Sequence, residues 1–407
     1  MRSTATIVAL ALLLPAAGAT TAAAFEWGAK NAPGQTPASA DQTRAPQPET
    51  MPNIEARPVA EGLPKLWSME FLPDGRMLVA TKAGAMHVVG SDGEPGPALE
   101  GVPEVMSRGQ GGLLDIALAP DFARSGTIFL SYAEPRGSEG NGTSVARATL
   151  AVDEDGAGRL DDVSVIFRQT PSYRGDKHFG SRLAFGPDGA LFVTVGERSD
   201  TPIRDQAQDL SSGLGKVFRI AADGSAPAGN PFVGQSGALA EIFSYGHRNL
   251  QAAVVTEAGT LWTVEHGPRG GDELNRPEPG KNYGWPVITY GINYNGSEVG
   301  DGATAAAGME QPVYYWDPVI APSGMAEYDA SLIPEWQGAL LIGGLVARSV
   351  VVLEVEDGRV VSESRVPIGE RVRDVKVGPD GAVYALTETR GASGTSSIVR
   401  LAPAGAT

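Results

Sequence analysis

The sequence FLPDGRMLV at residues 71–79 contains the pattern that decides the fold. It recurs as FGPDGALFV at residues 185–193 and as VGPDGAVYA at residues 377–385. In each copy an apolar strand ends at a turn in which proline presets φ and glycine adopts a positive φ, and a second apolar strand follows. Weaker copies of this strand–turn–strand unit lie at residues 118–130, 256–262 and 333–341.

Six such units over residues 56–403 average about 58 residues, more than the roughly 40–45 residues of a compact four-stranded blade. The pattern predicts an all-β protein: a six-bladed β-propeller with four-stranded antiparallel blades and long loops. We expect the ring to close by pairing of a C-terminal strand at residues 397–401 with a strand near residues 54–60. A pair of β-sandwiches is the competing architecture, but it explains the recurring Pro-Asp-Gly turn less well.

The composition narrows the classes of function. The 407 residues include 53 glycines and 30 prolines, 42% are hydrophobic, and the net charge is −16. Proteins that coat nucleic acid need clustered cations to neutralise phosphates, so this acidic balance argues against a nucleic-acid partner. The sequence has no cysteine, which excludes disulfides, thiolate metal sites and cysteine nucleophiles. Its four histidines are His87, His178, His247 and His266.

The N-terminal region divides into two segments. Residues 1–24 contain Arg2, an apolar run at residues 7–14 and a series of small residues, which together are typical of a cleaved signal peptide. The apolar run is shorter than the roughly 20 residues that span a bilayer, so we expect a periplasmic or secreted protein without stable membrane insertion. Residues 25–55 lack apolar periodicity and are expected to form a flexible tether. The propeller domain is then residues 56–403.

Three loop segments contain candidate binding or catalytic side chains. GQGGLLD at residues 109–115 places Gln110 among glycines that let a ligand approach the backbone, although a tight turn between blades would look the same. DKHFGSR at residues 176–182 places His178 before a strand, as a general base or as a structural histidine. In YGHRN at residues 245–249, Arg248 and Asn249 suit a planar ligand rich in carboxylate oxygens, or an ordinary surface loop.

Two further segments suggest ion binding. EHGPRGGDELN at residues 265–275, followed by KNYGWP at residues 281–286, combines carboxylates with glycine carbonyls, which are the hard oxygen ligands that Ca²⁺ prefers. The spacing is not that of an EF-hand, and a charged hairpin tip is an equal alternative. Arg371 and Arg373 alternate along a presumed strand, so both guanidinium groups would share one face where an anion could bind.

At these motifs the chain resembles the soluble quinoprotein glucose/sorbosone dehydrogenase family, nearest its periplasmic aldose sugar dehydrogenases, over residues 56–402. The resemblance implies a six-bladed propeller that binds pyrroloquinoline quinone (PQQ) and Ca²⁺ at one end. It also implies oxidation of the anomeric hydroxyl of an aldose to a lactone, with electrons passed to an external acceptor. It leaves open whether the protein is a monomer or a homodimer.

The resemblance assigns roles to residues of this sequence. His178 would be the base that accepts the sugar hydroxyl proton, Glu197 would orient its imidazole, and Arg248 would stabilise the quinone oxygen that gains charge. The residues expected to contact the cofactor are Gln110, His178, Arg248, Asn249, Tyr294, Ser323, Gly324, Met325, Arg348, Arg371 and Arg373.

The same resemblance predicts two calcium sites and one departure from the family pattern. Gly267 and Pro268 would supply carbonyl oxygens to a calcium ion held with the cofactor, and Glu273 and Tyr283 would belong to a second, structural site. The family often has a lysine that contacts the quinone where this chain has Val346. We expect Arg348 to take its place if the loop bends.

Two other classes of function remain open at this point. A calcium-dependent lactonase on a six-bladed propeller would need an acidic metal cage in the central channel and no arginine pair for a quinone. A non-catalytic extracellular binding module would not need His178 together with Glu197. The arginine pair and the Gly-His-Arg-Asn segment favour the dehydrogenase.

Overall fold

The computed structural model describes residues 24–201, 203–391 and 394–406, which form 23 strands and very little helix. In chain order the strands are β1 (Ile54–Pro64), β2 (Leu66–Phe71), β3 (Met77–Thr81), β4 (Met86–Val89), β5 (Leu113–Leu118), β6 (Thr127–Pro135), β7 (Asn141–Val152), β8 (Gly158–Arg168), β9 (Leu183–Phe185), β10 (Leu191–Val195), β11 (Lys216–Ile220), β12 (Ile242–Tyr245), β13 (Leu250–Val255), β14 (Leu261–Glu265), β15 (Asp272–Asn275), β16 (Tyr314–Trp316), β17 (Pro322–Glu327), β18 (Leu340–Gly344), β19 (Ser349–Glu356), β20 (Arg359–Pro367), β21 (Arg371–Val377), β22 (Val383–Glu388) and β23 (Thr395–Pro403). The helical segments are α1 (Phe122–Ser125) and three 3₁₀ turns, Gly137–Glu139, Ile203–Gln208 and Pro334–Trp336.

The strands form six antiparallel sheets, which are the blades of a propeller. Four blades contain four consecutive strands each, β5–β8, β9–β12, β13–β16 and β17–β20, and a fifth combines β21–β23 with β1. The sixth contains β2–β4, and its fourth position is taken by an irregular segment. There Gly96 N donates to Val88 O at 2.8 Å and Leu99 N donates to Met86 O at 2.9 Å. The predicted six-bladed propeller is confirmed.

The first strand of each blade lies next to the first strand of the following blade, which closes the ring. The contacts run from β2 to β5, β9, β13, β17 and β21, and β21 returns to β2. Buried apolar layers fill the space between neighbouring blades, as with Leu78 and Ile116 in one layer and Trp316 and Ile342 in another. Because each layer is shared by two blades, the blades stabilise one another.

The recurring Pro-Asp-Gly turns occupy one structural position. Each of the six copies connects the first strand of a blade to its second strand, at the same end of the propeller. Gly75, Gly189 and Gly381 have φ values of 88°, 77° and 78°, in the left-handed region that favours glycine. The first strands therefore all begin at the opposite end, where the loops are long.

The predicted closure of the ring is also found. Strand β1 pairs antiparallel with β23 from Ile54 opposite Pro403 to Pro64 opposite Thr395. The two ends of the domain thus complete one blade, and removal of either end would open the ring.

The N-terminal segment differs from the flexible tether that we expected. Residues 24–53 lie against the blades β13–β16 and β17–β20, and Ala32, Gln42 and Ala45 are buried. Asn31 N and Ala32 N donate to the carboxylate of Asp317 at 2.5 and 3.1 Å. The segment has no apolar period because it is held by single polar contacts and not by a packed face. The expected signal peptide lies almost entirely outside the described residues.

Replacing Asp317 with alanine should therefore lower the free energy of unfolding by about 2 kcal/mol. The substitution leaves two main-chain N–H groups without their charged acceptor, and hydrogen bonds to charged groups contribute about 1.5–3 kcal/mol. Urea unfolding monitored by tryptophan fluorescence measures the change, with Asp329→Ala as a matched control. Equal stability of the two variants would show that residues 24–53 are not held by Asp317.

Among the residues that the structure describes, no helix has the length and apolar character needed to cross a membrane.

Candidate active site

A cavity of about 310 Å³ opens at the end of the propeller where the first strands begin. Its walls come from all six blades, because the residues before each first strand and after each second strand meet at this end. The lining residues are Lys65, Trp67, Lys82, Gly109, Gln110, Leu114, His178, Phe179, Gly180, Arg248, Asn249, Gln251, His266, Tyr294, Ala321, Leu345, Arg371, Arg373 and Glu388. This volume is at the small end of the range for ligand sites.

His178 lies on the wall of the cavity in direct contact with Glu197. Its Nδ1 is 3.0 Å from Glu197 Oε1, and both side chains are almost fully buried. Burial and the nearby Arg248 lower the pKa of His178. Burial would raise the pKa of Glu197, but His178 and Arg248 together hold it below its usual value. The imidazole is therefore neutral near pH 7, donates its Nδ1 proton to a carboxylate and keeps Nε2 as a proton acceptor.

The backbone around His178 is held in an uncommon conformation by neighbouring amides. His178 has a φ of 49°, and its N–H donates to Gln110 Oε1 at 2.8 Å. Gly180 N donates to Asn249 Oδ1 at 3.1 Å. Gln110 and Asn249 thus hold the histidine loop from two sides, which the sequence did not show. Both residues also line the cavity, as predicted.

Arg248 crosses from the cavity to the acidic glycine-rich loop. Its Nη1 donates to His266 O at 3.0 Å and to Gly267 O at 2.8 Å, and its Nε is buried without a partner. A buried guanidinium nitrogen without an acceptor is costly unless a ligand supplies one. Arg248 is therefore positioned to bind an anionic oxygen.

The cavity has a strong excess of positive charge. Lys65, Lys82, Arg248, Arg371 and Arg373 line it together with one carboxylate. That carboxylate, Glu388, accepts from Arg371 Nε at 3.0 Å and from Arg373 Nη2 at 3.1 Å.

The predicted face shared by Arg371 and Arg373 exists, but Glu388 lies between the two guanidinium groups. Burial would raise the pKa of Glu388, yet Arg373, Lys65 and Arg371 lower it to about 2. One carboxylate cannot neutralise five cations, so the site suits a ligand with several negative charges.

His266 is a second cavity histidine with a different environment. Burial, and then the neighbouring Arg248 and His178, lower the pKa of His266 to about 3. It therefore stays neutral throughout the physiological range. The sequence reasoning did not select it.

Three of the four predicted calcium residues line a second, much smaller space next to the cavity. Glu273, Tyr283 and Gly267 line a void of about 10 Å³, together with Glu265. This volume is close to what one water-sized sphere needs. Burial and the nearby Glu265 raise the pKa of Glu273 well above its usual value.

Existing hydrogen bonds limit which oxygen atoms near this space could bind a metal ion. Asn275 Nδ2 donates to Glu265 and Glu273, and its buried Oδ1 has no hydrogen-bond partner among the described residues. The Tyr283 hydroxyl donates to Arg276 O and accepts from Glu278 N, so only its main-chain carbonyl could bind an ion. Gly267 O already accepts from Arg248, and Pro268 lines neither space.

Four residues that we expected to contact the cofactor do not line the cavity: Arg348, Ser323, Gly324 and Met325. Arg348 is exposed and lies outside the cavity, because it follows a turn that points outward, and Val346 is likewise 49% exposed. Leu345 lines the wall in their place.

Residues 323–325, where the resemblance implied a cofactor loop, lie within strand β17 and do not line the cavity. Ser323 Oγ donates to Gly343 O and Val372 O, and Met325 is buried in an apolar layer. Gly324 lies so close to Asp374 that a β-carbon could not fit. Ala321, two residues earlier, is the residue that reaches the cavity.

The residues that sequence reasoning missed share a position in the repeat. Lys82, His266 and Leu345 directly follow the second strand of their blades, and Glu388 is the last residue of such a strand. Glu197, which was predicted, lies in the equivalent place, two residues after β10. Alignment of the six Pro-Asp-Gly units would have placed all of them at one end.

Comparison with known proteins agrees with this architecture. Residues 63–400 match the family model for glucose / sorbosone dehydrogenases. The aldose sugar dehydrogenase YliI of Escherichia coli K12 is 44% identical over 332 residues, which cover 79% of this chain and 86% of that protein.

Solved structures show the same likeness. The apo form of the soluble aldose sugar dehydrogenase of Escherichia coli superposes with a TM-score of 0.81 at 41% identity, over 86% of this chain and all of that one. The PQQ-bound form of the Streptomyces coelicolor aldose sugar dehydrogenase superposes with a TM-score of 0.69 at 28% identity, over 86% of this chain and all of that one.

The fold and the cavity define an enzyme-type β-propeller with an anion-binding site at one end. The chain belongs to the glucose / sorbosone dehydrogenase family.

Proposed function

We propose that this protein is a PQQ-dependent aldose sugar dehydrogenase that oxidises the anomeric hydroxyl of an aldose to a lactone. The observation that carries the proposal is the His178–Glu197 pair, with Nδ1 3.0 Å from Oε1, facing a cavity lined by five cations. A neutral imidazole can accept the hydroxyl proton, and the cations can hold a polyanionic cofactor. Bound PQQ would supply the hydride acceptor.

The residues present fit PQQ, which has three carboxylates. Arg371 and Arg373 are held in place by Glu388, and Lys65 and Lys82 add positive charge from the neighbouring blade. These two lysines provide cations in a cavity that neither Val346 nor Arg348 enters. Arg248, whose Nε lacks a partner, would stabilise an oxygen that gains negative charge.

The chain's own groups account for the movement of the proton. Glu197 fixes the tautomer of His178 by accepting from Nδ1, so Nε2 can accept the proton of the sugar hydroxyl. Loss of this proton lets the anomeric carbon release hydride. If the proton stayed, the carbonyl group that forms would carry a positive charge. Tyr294, which is 73% exposed, borders the cavity where a sugar ring would enter.

The carboxylate pair behind the cavity supports a structural calcium site. Glu265 and Glu273 line one small space, and both accept from Asn275 Nδ2, whose own Oδ1 has no partner among the described residues. A divalent cation would offset the burial and the repulsion by Glu265 that together raise the pKa of Glu273. A calcium ion shared with the cofactor at Gly267 would compete with Arg248 for the same carbonyl oxygen.

We therefore expect EDTA to lower the melting temperature of the protein and Ca²⁺ to restore it. A ligand that binds only the native state at a hundredfold excess over its Kd adds about 2.7 kcal/mol to the free energy of unfolding. Glu273→Gln should abolish most of this response, whereas Glu310→Gln, an exposed residue paired with Lys281, should keep it. Differential scanning calorimetry would contradict a calcium site if chelation left the wild-type melting curve unchanged.

Reconstitution tests the whole proposal. The purified protein, titrated with PQQ in the presence of Ca²⁺, should bind the quinone with a change in its absorbance spectrum. It should then oxidise glucose and other aldoses with ferricyanide as acceptor. Quinone binding without oxidation of any aldose would contradict the proposed reaction.

The side chains in the central channel argue against the alternative function as a calcium-dependent lactonase. Arg182 Nη1 lies there 2.8 Å from Asp115 and 3.0 Å from Asp374. A guanidinium group between these two carboxylates takes the place that a metal cage would need. The proposed periplasmic location rests on the sequence of residues 1–24 and on the family.

A further inference from the structure

A second groove opens beside the active-site cavity. Its volume is about 940 Å³, and it lies between the start of blade β2–β4 and the loop before β5. Lys65, Lys82 and Gly109 line both the groove and the cavity, so the two spaces are adjacent. The groove does not include His178, which lies on the far side of Gln110.

The charged residues that line the groove are all cations: Lys65, Lys82 and Arg108. The Arg108 side chain is 70% exposed, and its Nε is 3.9 Å from Asp176, so it is only weakly neutralised. Lys82 Nζ donates to the carbonyl of Gly109 and contacts no carboxylate among the described residues. Lys65 lies 3.7 Å from Glu388, which Arg371 and Arg373 already share.

This charge is the opposite of that of the protein as a whole. The chain has a net charge of −16, which repels anions at long range. A basic groove on an acidic surface concentrates anions locally, and low-dielectric walls strengthen the effect. Because the groove and the cavity share Lys65 and Lys82 as a common wall, an anion bound in the groove would lie next to the cofactor site on the side away from His178.

We propose that this groove binds an anionic one-electron acceptor that reoxidises the reduced enzyme. The inference rests on the proposed function. Oxidation of one aldose to its lactone releases two electrons and two protons. Two acceptor molecules each take up one electron, and the two protons leave to solvent. The sugar enters at His178, and the acceptor approaches from Lys82 and Arg108.

The test compares two acceptors that differ in charge, with the reconstituted full-length protein. Ferricyanide is a trianion, and a trimethylammonium-substituted ferrocenium is a cation. Arg108→Glu should lower kcat/KM for ferricyanide about fivefold to tenfold, as expected from Coulomb attraction at about 8 Å with partial screening. The same substitution should leave kcat/KM for the ferrocenium unchanged or raise it. Added salt should slow wild-type reaction with ferricyanide and shrink the difference between the two proteins.

Arg124→Glu provides the matched control. Arg124 is 85% exposed in α1, at the opposite end of the propeller, and the substitution changes the net charge by the same amount. It should leave the ferricyanide rate within about twofold of wild type. An equal loss in both variants would show a global charge effect and overturn the groove assignment.

A measurement of acceptor binding without turnover distinguishes a failure of this proposal from a failure of the proposed function. Isothermal titration with ferrocyanide, the non-oxidising form, should show binding to wild type that Arg108→Gln weakens, whether or not any aldose is oxidised. If Arg108→Glu instead lowers kcat/KM for glucuronate and not for glucose or ferricyanide, the groove binds acidic sugars and the acceptor assignment is wrong. Equal loss with both acceptors would also overturn it.

Discussion

Replacement of His178 should lower kcat for aldose oxidation at least about a hundredfold while PQQ still binds. A positioned general base contributes about 10²–10⁴-fold in rate, and no other neutral imidazole in the cavity contacts a carboxylate. His178→Asn is the preferred variant, because asparagine tolerates the φ of 49° at this position better than other residues. Quinone absorbance measures cofactor binding, and steady-state kinetics measure the chemical loss.

The pH dependence of kcat/KM provides a second test of the role of His178. The general base must be unprotonated, and burial together with Arg248 lowers the pKa of His178. Wild-type kcat/KM for the sugar should therefore stay high as the pH falls through 6.5 and decline only at more acidic values. The His178→Asn variant should lack this acid limb.

His266→Ala provides the control for His178. His266 also lines the cavity, but its pKa of about 3 and its lack of a carboxylate partner give it no part in the proton transfer. Its replacement should change kcat much less than replacement of His178. The assignment fails if His178→Asn keeps near wild-type kcat under conditions where chemistry limits the rate.

Replacement of Arg182 should have the largest effect on stability, a loss of about 3–5 kcal/mol at pH 7. Its guanidinium joins Asp115 and Asp374 across the central channel and lies 4.3 Å from the ring centroid of Trp67. All four side chains are buried. Arg182→Met would leave two carboxylates in a low-dielectric interior with only Lys376, which also pairs with Glu70, as a nearby positive charge. Removing the direct partner of a buried charge is among the costliest single changes in a protein.

The loss of stability caused by Arg182→Met should depend on pH. Burial raises the pKa of Asp115 in the folded protein above its unfolded value, and without Arg182 this rise should be larger. Folding then favours the protonated acid, so the variant should be closest to wild type at low pH and lose stability as pH rises toward neutrality.

Two comparisons make the Arg182 prediction specific. Arg168→Met removes a half-exposed partner of Glu134, and it should cost no more than about 1 kcal/mol. Combining Arg182→Met with Asp115→Asn and Asp374→Asn should recover part of the loss. Urea unfolding at pH 5 and pH 7 measures all variants. Arg182→Met within about 1 kcal/mol of wild type at pH 7 would show that the channel carboxylates do not need this cation.

The fold could be predicted because its signal is local. Proline and glycine set backbone angles at their own positions, so the Pro-Asp-Gly turns identify hairpins without knowledge of the rest of the chain. Six hairpins and the apolar strands beside them were enough to predict the number of blades. The N-terminal segment was misjudged for the same reason. Its order depends on Asp317, almost three hundred residues away, and no local pattern shows such a contact.

The candidate site was predictable where a motif carried its own chemistry. His178, Gln110, Arg248 and Asn249 stand in short polar segments next to glycine, and the structure brings all four together. Resemblance to a family added Glu197, whose contact with His178 is found. Arg348 and residues 323–325, which the resemblance also named, lie outside the cavity, because contacts with a neighbouring blade decide their position.

The sequence by itself determined the number of blades, the closing strand pair and the main residues around the histidine, because turn angles and strand alternation are properties of neighbouring residues. Only the tertiary structure decided which charged side chains lie close to one another. Lys65 and Lys82 belong to none of the motifs recognised in the sequence. The closed ring nevertheless brings them to Arg371 and Arg373, so that the cavity contains five cations and one glutamate. Coulomb energies depend on distances in space, and those distances exist only once the six blades have closed.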